Sequence, residues 1–401
     1  MYLTSLTHRD MLFDISQNWL HGNVDPGDGA FITAAFLLEH AITAPSVTGL
    51  LEWTFGSHLP GELRFRHVRT KEQVRRSIIR GWTSPTPRAR GLFEEFERLP
   101  EAFFPTTPVD TIVAIAPDDG LVGMVRFKSL FRIADKVARG AARRLRADVE
   151  SILLAGTHGG ALSDLASVPG FAAALQEVNQ TFLNGRARLS RDDLRVDDAI
   201  GAKLILPEED MEAFEHRLAS HPNVLSVQHR EHHGPYNDVH LLAEVRCPPG
   251  GRTIDSLRAM DWRASAGRGV SAQQLRDAVP QYVETGAKTF FLEVLLTTLP
   301  ELVESEFGRG LHEERIARQR LDPLWSSRVA TNVQLTTLSM LLLALAPTIT
   351  IEEPPGKMSG RYLPETALGL LAQLFGLGVA RSPFWVPEAI PDISCHGPDA
   401  A

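Results

Sequence analysis

Asp198 and Glu293 are the residues whose type and setting first invite chemistry. Asp198 directly precedes AIGAKLIL, an apolar run that reads as a strand, so it stands at a strand's mouth. Glu293 lies inside FFLEVLLTT, which is apolar enough for a central strand. A carboxylate in such a strand is costly unless it is paired, hydrogen-bonded or bound to a metal. Two acids on adjacent strands facing one cleft would make a Mg2+ site for phosphoryl chemistry, because this hard cation takes oxygen ligands and bridges substrate phosphates. The structural alternative has Asp198 capping or salt-bridging, and Glu293 paired with a nearby Lys or Arg.

Cations stand near these acids in the chain. Alternation along LVGMVRFK puts Arg126 and Lys128 on one strand face, where Arg offers bidentate contacts and Lys a point charge to a polyphosphate. Arg132 and Lys136, one helical turn apart, extend the patch, and Lys203 lies inside AIGAKLIL. A solvated strand end is the bland alternative. The segment HHGPYNDVH, residues 232–240, gathers His and Asp in the manner of a transition-metal site, but no CxxC or HxxxH frames it. Tyr236 there could instead stack a nucleobase, or simply cover the sheet edge.

Other chemistries lack their signatures. GxxxxGK[ST], a GxGxxG after a strand, HExxH, GxSxG and an adjacent His-Asp pair are all absent. Cys247 and Cys395 are the only cysteines, too few for a disulfide framework or a Cys-rich zinc site.

The scaffold around these residues is a mixture of strands and helices. Residues 1–60 are helical in pattern, broken by a turn cluster at 23–29, and ELRFRHVRTKEQVRRSIIRGW reads as a strand followed by an amphipathic helix. VDTIVAIA and LVGMVRFK form a hairpin around Asp118-Asp119-Gly120. Helical patterns continue to Gly185, then AIGAKLIL as a strand and PEEDMEAFEHRLASHP as a helix. VLSVQHREHH and DVHLLAEVRC are strands, CPPGGR a loop, SAQQLRDAVPQYV a helix, TFFLEVLLTT a strand and ELVESEFGRGLHEERIARQR a helix. Residues 333–346, VQLTTLSMLLLALA, are the most membrane-like stretch, but are short, carry Gln and Thr and stop at Pro347, which suits a buried helix.

The 401 residues are 43% hydrophobic, enough for a real core and incompatible with dominant disorder. Lys and Arg number 41 against 49 Asp and Glu, a net charge of −8 that argues against bulk attraction to DNA. The N-terminal MYLTSLTHRDMLFDIS has no signal-peptide pattern, and sparse cysteine fits a reducing compartment. The expectation is a cytoplasmic protein with no membrane and no DNA partner.

In order along the chain, these pieces resemble the synthetase domain of the RelA/SpoT family. RFKSLFRIADK matches that family's Arg-x-Lys-Ser motif, and DAIGAKLIL its Asp-x-x-Gly-x-Arg strand with Lys203 at the basic position. PYNDVHLLAEV matches its Gly-Tyr-x-Ser-x-His turn and strand, and EVLLTT its closing Glu-x-Gln-x-Arg-Thr strand. Glu306-Phe307-Gly308 and His312, nineteen residues beyond Glu293, match the family's next helix. The resemblance covers about 110–320. It departs at Leu295 and Thr297 for the family Gln and Arg, at Pro235 and Asp238 for Gly and Ser, and at Arg132 for a helix Ser. Arg186-Ala187-Arg188 is a second candidate phosphate motif.

The resemblance implies an α/β (α+β) fold, a nucleotidyltransferase-like mixed β-sheet flanked by helices. Residues 1–108 would be a helical N-terminal region, 109–320 the synthetase domain with an insertion at about 140–190, and 321–401 a helical C-terminal extension. It implies a Mg2+-dependent transfer of pyrophosphate from ATP to the 3′-hydroxyl of GDP or GTP, that is, alarmone synthesis. Asp198 would hold Mg2+, and Glu293 would ligand the metal or act as base toward the 3′-hydroxyl. Arg126, Lys128, Lys136 and Lys203 would bind ATP, and Tyr236, His240 and His312 the acceptor. The alternatives are a toxin-type variant acting on adenine nucleotides or tRNA, and a degenerate domain that senses nucleotide or binds a regulatory partner through its helical flanks.

Overall fold

The computed structural model describes residues 4–20, 25, 28–56, 61–103, 105–106, 108–127, 144, 146–155, 169–183, 190–192, 195–230, 238–262 and 270–308. Its strands are β1 (Arg64–Thr70), β2 (Pro108–Ile115), β3 (Leu121–Phe127), β4 (Ile200–Ile205), β5 (Val224–Arg230), β6 (Val239–Arg246) and β7 (Thr289–Thr297). Among the described residues they form one seven-stranded sheet of a mixed α/β protein, in the order β1-β2-β3-β4-β7-β6-β5. Neighbours run antiparallel except β4 and β7, which are parallel. The β2–β3 hairpin turns at Asp119, whose positive φ of 69° is one an Asp tolerates.

The helices are α1 (Arg9–Leu20), α2 (Asp28–Phe55), α3 (Lys71–Gly81), α4 (Pro87–Arg98), α5 (146–155), α6 (Phe171–Leu183), α7 (Glu208–Ser220), α8 (Gly250–Ala259), α9 (Ala272–Thr285) and α10 (Leu299–Phe307). One sheet face carries Ile112, Ala114, Val125, Phe127, Ile200, Ala202, Leu204, Leu241, Ala243, Leu292 and Val294, and it is covered by α2 and α7. The opposite face packs Val113 and Met124 under α3, α4 and α10, through Ile78, Phe93, Phe96, Leu302 and Phe307. A third cluster joins the N-terminal half of α2 to α8 and α9 through Leu38, Ile42, Leu257, Trp262, Leu275 and Val279.

The sheet and its covering helices draw on residues 1–108 as well as on residues 109–308. β1 pairs with β2, α2 closes a whole sheet face, and Thr4 O accepts from Phe291 N of β7 at 3.2 Å. The segment CPPGGR, expected as a loop, runs into α8 instead. Pro249 is the N-cap of α8, a position just outside the helix where its missing N–H breaks no helical bond.

Ala34–Phe55 of α2 is long and apolar enough to cross a bilayer, yet 83% of its most apolar window is buried within the protein. It reads as the core helix of this fold. Its hydroxyls survive burial because Thr43, Ser46, Thr48 and Thr54 each bond back to the carbonyl four residues earlier. Residues 333–346 lie outside the described residues.

Candidate functional site

Strand register brings two of the expected site residues onto one line. Arg126 pairs with Gly201, and Gly201 with Glu293, so the three form a row across β3, β4 and β7 on one face. Adjacent strands are about 4.8 Å apart, which sets Arg126 and Glu293 roughly 10 Å from each other with a glycine between them. A Cβ on Gly201 would meet Glu293 Oε2 at 3.5 Å, so the glycine keeps clear the space beside that carboxylate. One row along, Lys203 lies in line with Leu295, His240 and Arg230. Glu293, Leu295 and His240 are half-buried and Gln228 is exposed, while Leu242, which stands between Glu293 and Gln228 in its row, is buried.

Glu293 is half-buried on a strand whose other neighbours are largely apolar, and it has no hydrogen bond or ion pair among the described residues. The Lys or Arg partner of the structural alternative is therefore not found there. Nearby, Gln228 and Arg230 share the face, while Val227 and His229 of β5 turn to the other, where His229 meets Glu215 of α7 at 2.6 Å.

The cations are already engaged. Arg126 Nη2 contacts Glu306 Oε1 at 2.5 Å, and Lys203 Nζ lies 3.1 Å from Ser305 Oγ. Arg75 Nε donates to the Glu306 carbonyl at 2.9 Å, and its Nη1 to Phe103 O at 2.6 Å. Glu306 lies in the last turn of α10, which follows β7 directly and meets β4 through Ser305 and Lys203. Burial pushes its carboxyl up, but the charges of Arg126, Lys203 and Arg75 outweigh burial and hold it down at about 2. Burial lowers the Lys203 ammonium, Glu306 opposes that shift, and Arg126 adds to it. Arg75 is also pushed down by burial, with Glu306 opposing.

Asp198 is buried in the turn that enters β4. Its neighbour Asp197 carries the visible polar network. Asp197 accepts from Thr4 Oγ1, from Arg195 Nε at 2.7 Å and from Arg230 of β5. Burial raises this carboxyl, but the bonds from Arg195, Thr4 and Arg230 bring it below its usual range. Two departures from the family pattern meet one another: Thr297 Oγ1 donates to Asp238 Oδ1 at 2.6 Å. Lys128, Lys136, Tyr236 and His312 lie outside the described residues, as do Arg132, Arg186 and Arg188.

Two buried polar groups carry no local sequence signal. Asp110 of β2 holds His67 Nε2 of β1 at 2.5 Å and faces His40 Nε2 of α2 at 3.4 Å. The residues are far apart in the chain, so no spacing motif announces them. Metal ligands stand about 2.0–2.2 Å from an ion and roughly 3 Å from each other, so the close His67 contact is a hydrogen bond with no room for a metal between. In the second group, Glu39 of α2 accepts from Thr7 N at 2.8 Å, Thr7 Oγ1 at 2.6 Å and Tyr282 Oη at 2.8 Å. Burial raises Glu39 to about 6 against the opposing bonds from Thr7 and Tyr282. Next to it, burial lowers His8 to about 4, and its ring stands edge-on to Tyr282 at 3.7 Å.

Among the described residues no group of three His, Cys, Asp or Glu side chains could hold a metal ion. Mg2+ needs less, since it is commonly held by one or two carboxylates with water and phosphate completing the shell. Glu293, beside the side-chain-free Gly201, and Asp198 at the mouth of the adjacent strand are oxygen donors of that kind. Neither a protein-family model, nor a curated protein, nor a solved structure matches this chain.

Proposed function

We propose that the chain is a Mg2+-dependent pyrophosphokinase with a nucleotidyltransferase-like sheet, and that the row Arg126–Gly201–Glu293 marks its substrate face. The observation that carries this reading is Glu293: a half-buried carboxylate on an interior strand, without a partner among the described residues, beside a glycine that leaves space for a ligand. Carboxylates are kept in such places for protons or cations.

In this reading Asp198 and Glu293 would hold Mg2+, which neutralises phosphate charge when bound. Arg126 and Lys203, with Lys128 and Lys136, bind the ATP phosphates, and Tyr236, His240 and His312 line the acceptor side. The acceptor's 3′-hydroxyl oxygen attacks the β-phosphorus of ATP. The bond from that phosphorus to the α,β-bridging oxygen breaks, AMP leaves, and Glu293 takes the hydroxyl proton. Such transfer is mostly positioning and charge neutralisation, which suits residues fixed on strands. Thr297 and Asp238 replace the family's closing Arg and turn Ser, which alters the acceptor side and leaves guanine nucleotides, adenine nucleotides and tRNA as the acceptors to assay.

A second reading is a nucleotide-sensing protein without turnover, and the occupation of Arg126 and Lys203 by Glu306 and Ser305 favours it. ATP labelled in its γ-phosphate, offered with Mg2+ and each acceptor, separates the two. AMP release with label on the acceptor supports the enzyme; tight ATP binding without AMP release supports the sensor. Neither binding nor transfer removes both.

A further inference from the structure

Three cations converge on one carboxylate beneath α10. Arg75, Arg126 and Lys203 all act on Glu306, and Asp238 and Glu301 also act on Lys203. The hydrogen bonding of these partly buried charges is incomplete, which costs free energy. Arg126 meets Glu306 through Nη2, whereas its Nε is buried without a hydrogen-bond partner. Lys203 Nζ has three protons, and its hydrogen bond goes to the neutral hydroxyl of Ser305.

A phosphoryl group would suit this cluster better than the carboxylate does. It offers three oxygens and can take Arg126 through Nε and Nη together while also reaching Lys203. We propose that Glu306 is a built-in occupant of a polyphosphate site: its carboxylate fills the Arg126–Lys203 pair in the free protein, and a polyphosphate binds there by displacing it. The site's assignment to polyphosphate rests on the pyrophosphokinase reading; the displacement itself is tested by binding alone. Glu306 belongs to the last turn of α10, so displacement loosens that turn, and Arg75, which holds the Glu306 carbonyl, marks how far the loosening reaches. Binding of substrate and release of α10 are thereby one equilibrium, and any contact that pulls on α10 tunes affinity.

The test is calorimetric titration of inorganic pyrophosphate into the full chain and into Glu306→Gln. The variant is expected to bind roughly tenfold tighter or better, and adding Lys203→Met to it should remove the gain. Equal or weaker binding by Glu306→Gln overturns the proposal, as does a gain that survives Lys203→Met. Should Glu306→Gln not fold, Glu306→Asp keeps the charge but falls a methylene short of Arg126, and a several-fold gain is expected; no gain overturns the idea. On the native protein, saturating pyrophosphate should speed amide exchange at Ser305–Gly308, and unchanged or slower exchange contradicts displacement. Tighter pyrophosphate binding by the variant without AMP release in any acceptor assay sinks the kinase reading alone. Full transfer by the native chain with no gain in the variant sinks displacement alone.

Discussion

Burial alone would raise the Glu306 carboxyl, and three cations instead hold it down at about 2 against an ordinary 4.5. A lowered carboxyl contributes stability that is complete above pH 4.5 and is lost as pH falls through 2. That contribution is on the order of 3 kcal/mol. Urea unfolding of Glu306→Gln should therefore show a loss of that size at pH 7, shrinking toward zero near pH 2; equal midpoints at pH 7 would contradict the cluster's role. Glu39 has the opposite sign. Its carboxyl is raised to about 6, so its ionisation removes stability as pH rises from 4.5 to 6. His8, lowered to about 4, loses stability as pH falls from 6.5. The two slopes oppose each other in the native chain. Glu39→Gln should be more stable at pH 7 by about 2 kcal/mol, because Tyr282 Oη, which also lies 2.8 Å from Ala35 O, can turn its proton there and accept from the new amide. Between pH 4.5 and 6 the variant should lose the opposing slope of Glu39 and keep that of His8, and a flat profile there would contradict this pairing.

At the scale of elements, β4 and β7 decide the site and α2 and α10 decide the packing. Gly201→Val gives β4 a better strand former and fills the space beside Glu293. It should keep the thermal midpoint while lowering nucleotide affinity by at least about tenfold; unchanged affinity would move the ligand off this face. Leu38 of α2 is fully buried between α8 and α9, so Leu38→Ala should cost about 2–5 kcal/mol in urea unfolding, whereas a change near zero would place α2 outside the core. The strands at the site are legible because their residue types change abruptly: VDTIVAIA, AIGAKLIL and TFFLEVLLTT are short apolar runs between turn signals, and each forms a strand. Glycine and proline hide α8, since GG after PP reads as a loop until Thr253 bonds back to Pro249 O at 3.0 Å. The Arg126–Glu306 pair is not legible, although each residue sits in a motif of its own. A contact 180 residues apart depends on how α10 folds back, which no local spacing reports.

For the molecule as a whole, the first residues are part of the sheet's machinery. Thr4, Ser5 and Thr7 reach Asp197, β7, Glu39 and the turn that carries Asp198, so the chain's beginning is tied to the mouth of the proposed site. The resemblance to an alarmone synthetase starts near residue 110, yet β1 extends the same sheet and α2 covers its other face. The sequence conveys the order of motifs because motifs are local. It cannot convey that Glu306 already occupies the cations, because that depends on tertiary register. The most direct measurement is AMP release from ATP with Mg2+ and the acceptor panel, run on the native chain, Asp198→Asn and Glu293→Gln with folding checked by circular dichroism. The account predicts AMP and a pyrophosphorylated acceptor from the native chain and neither from the two folded variants. Undiminished transfer by Glu293→Gln, or none by the native chain with every acceptor, would contradict it.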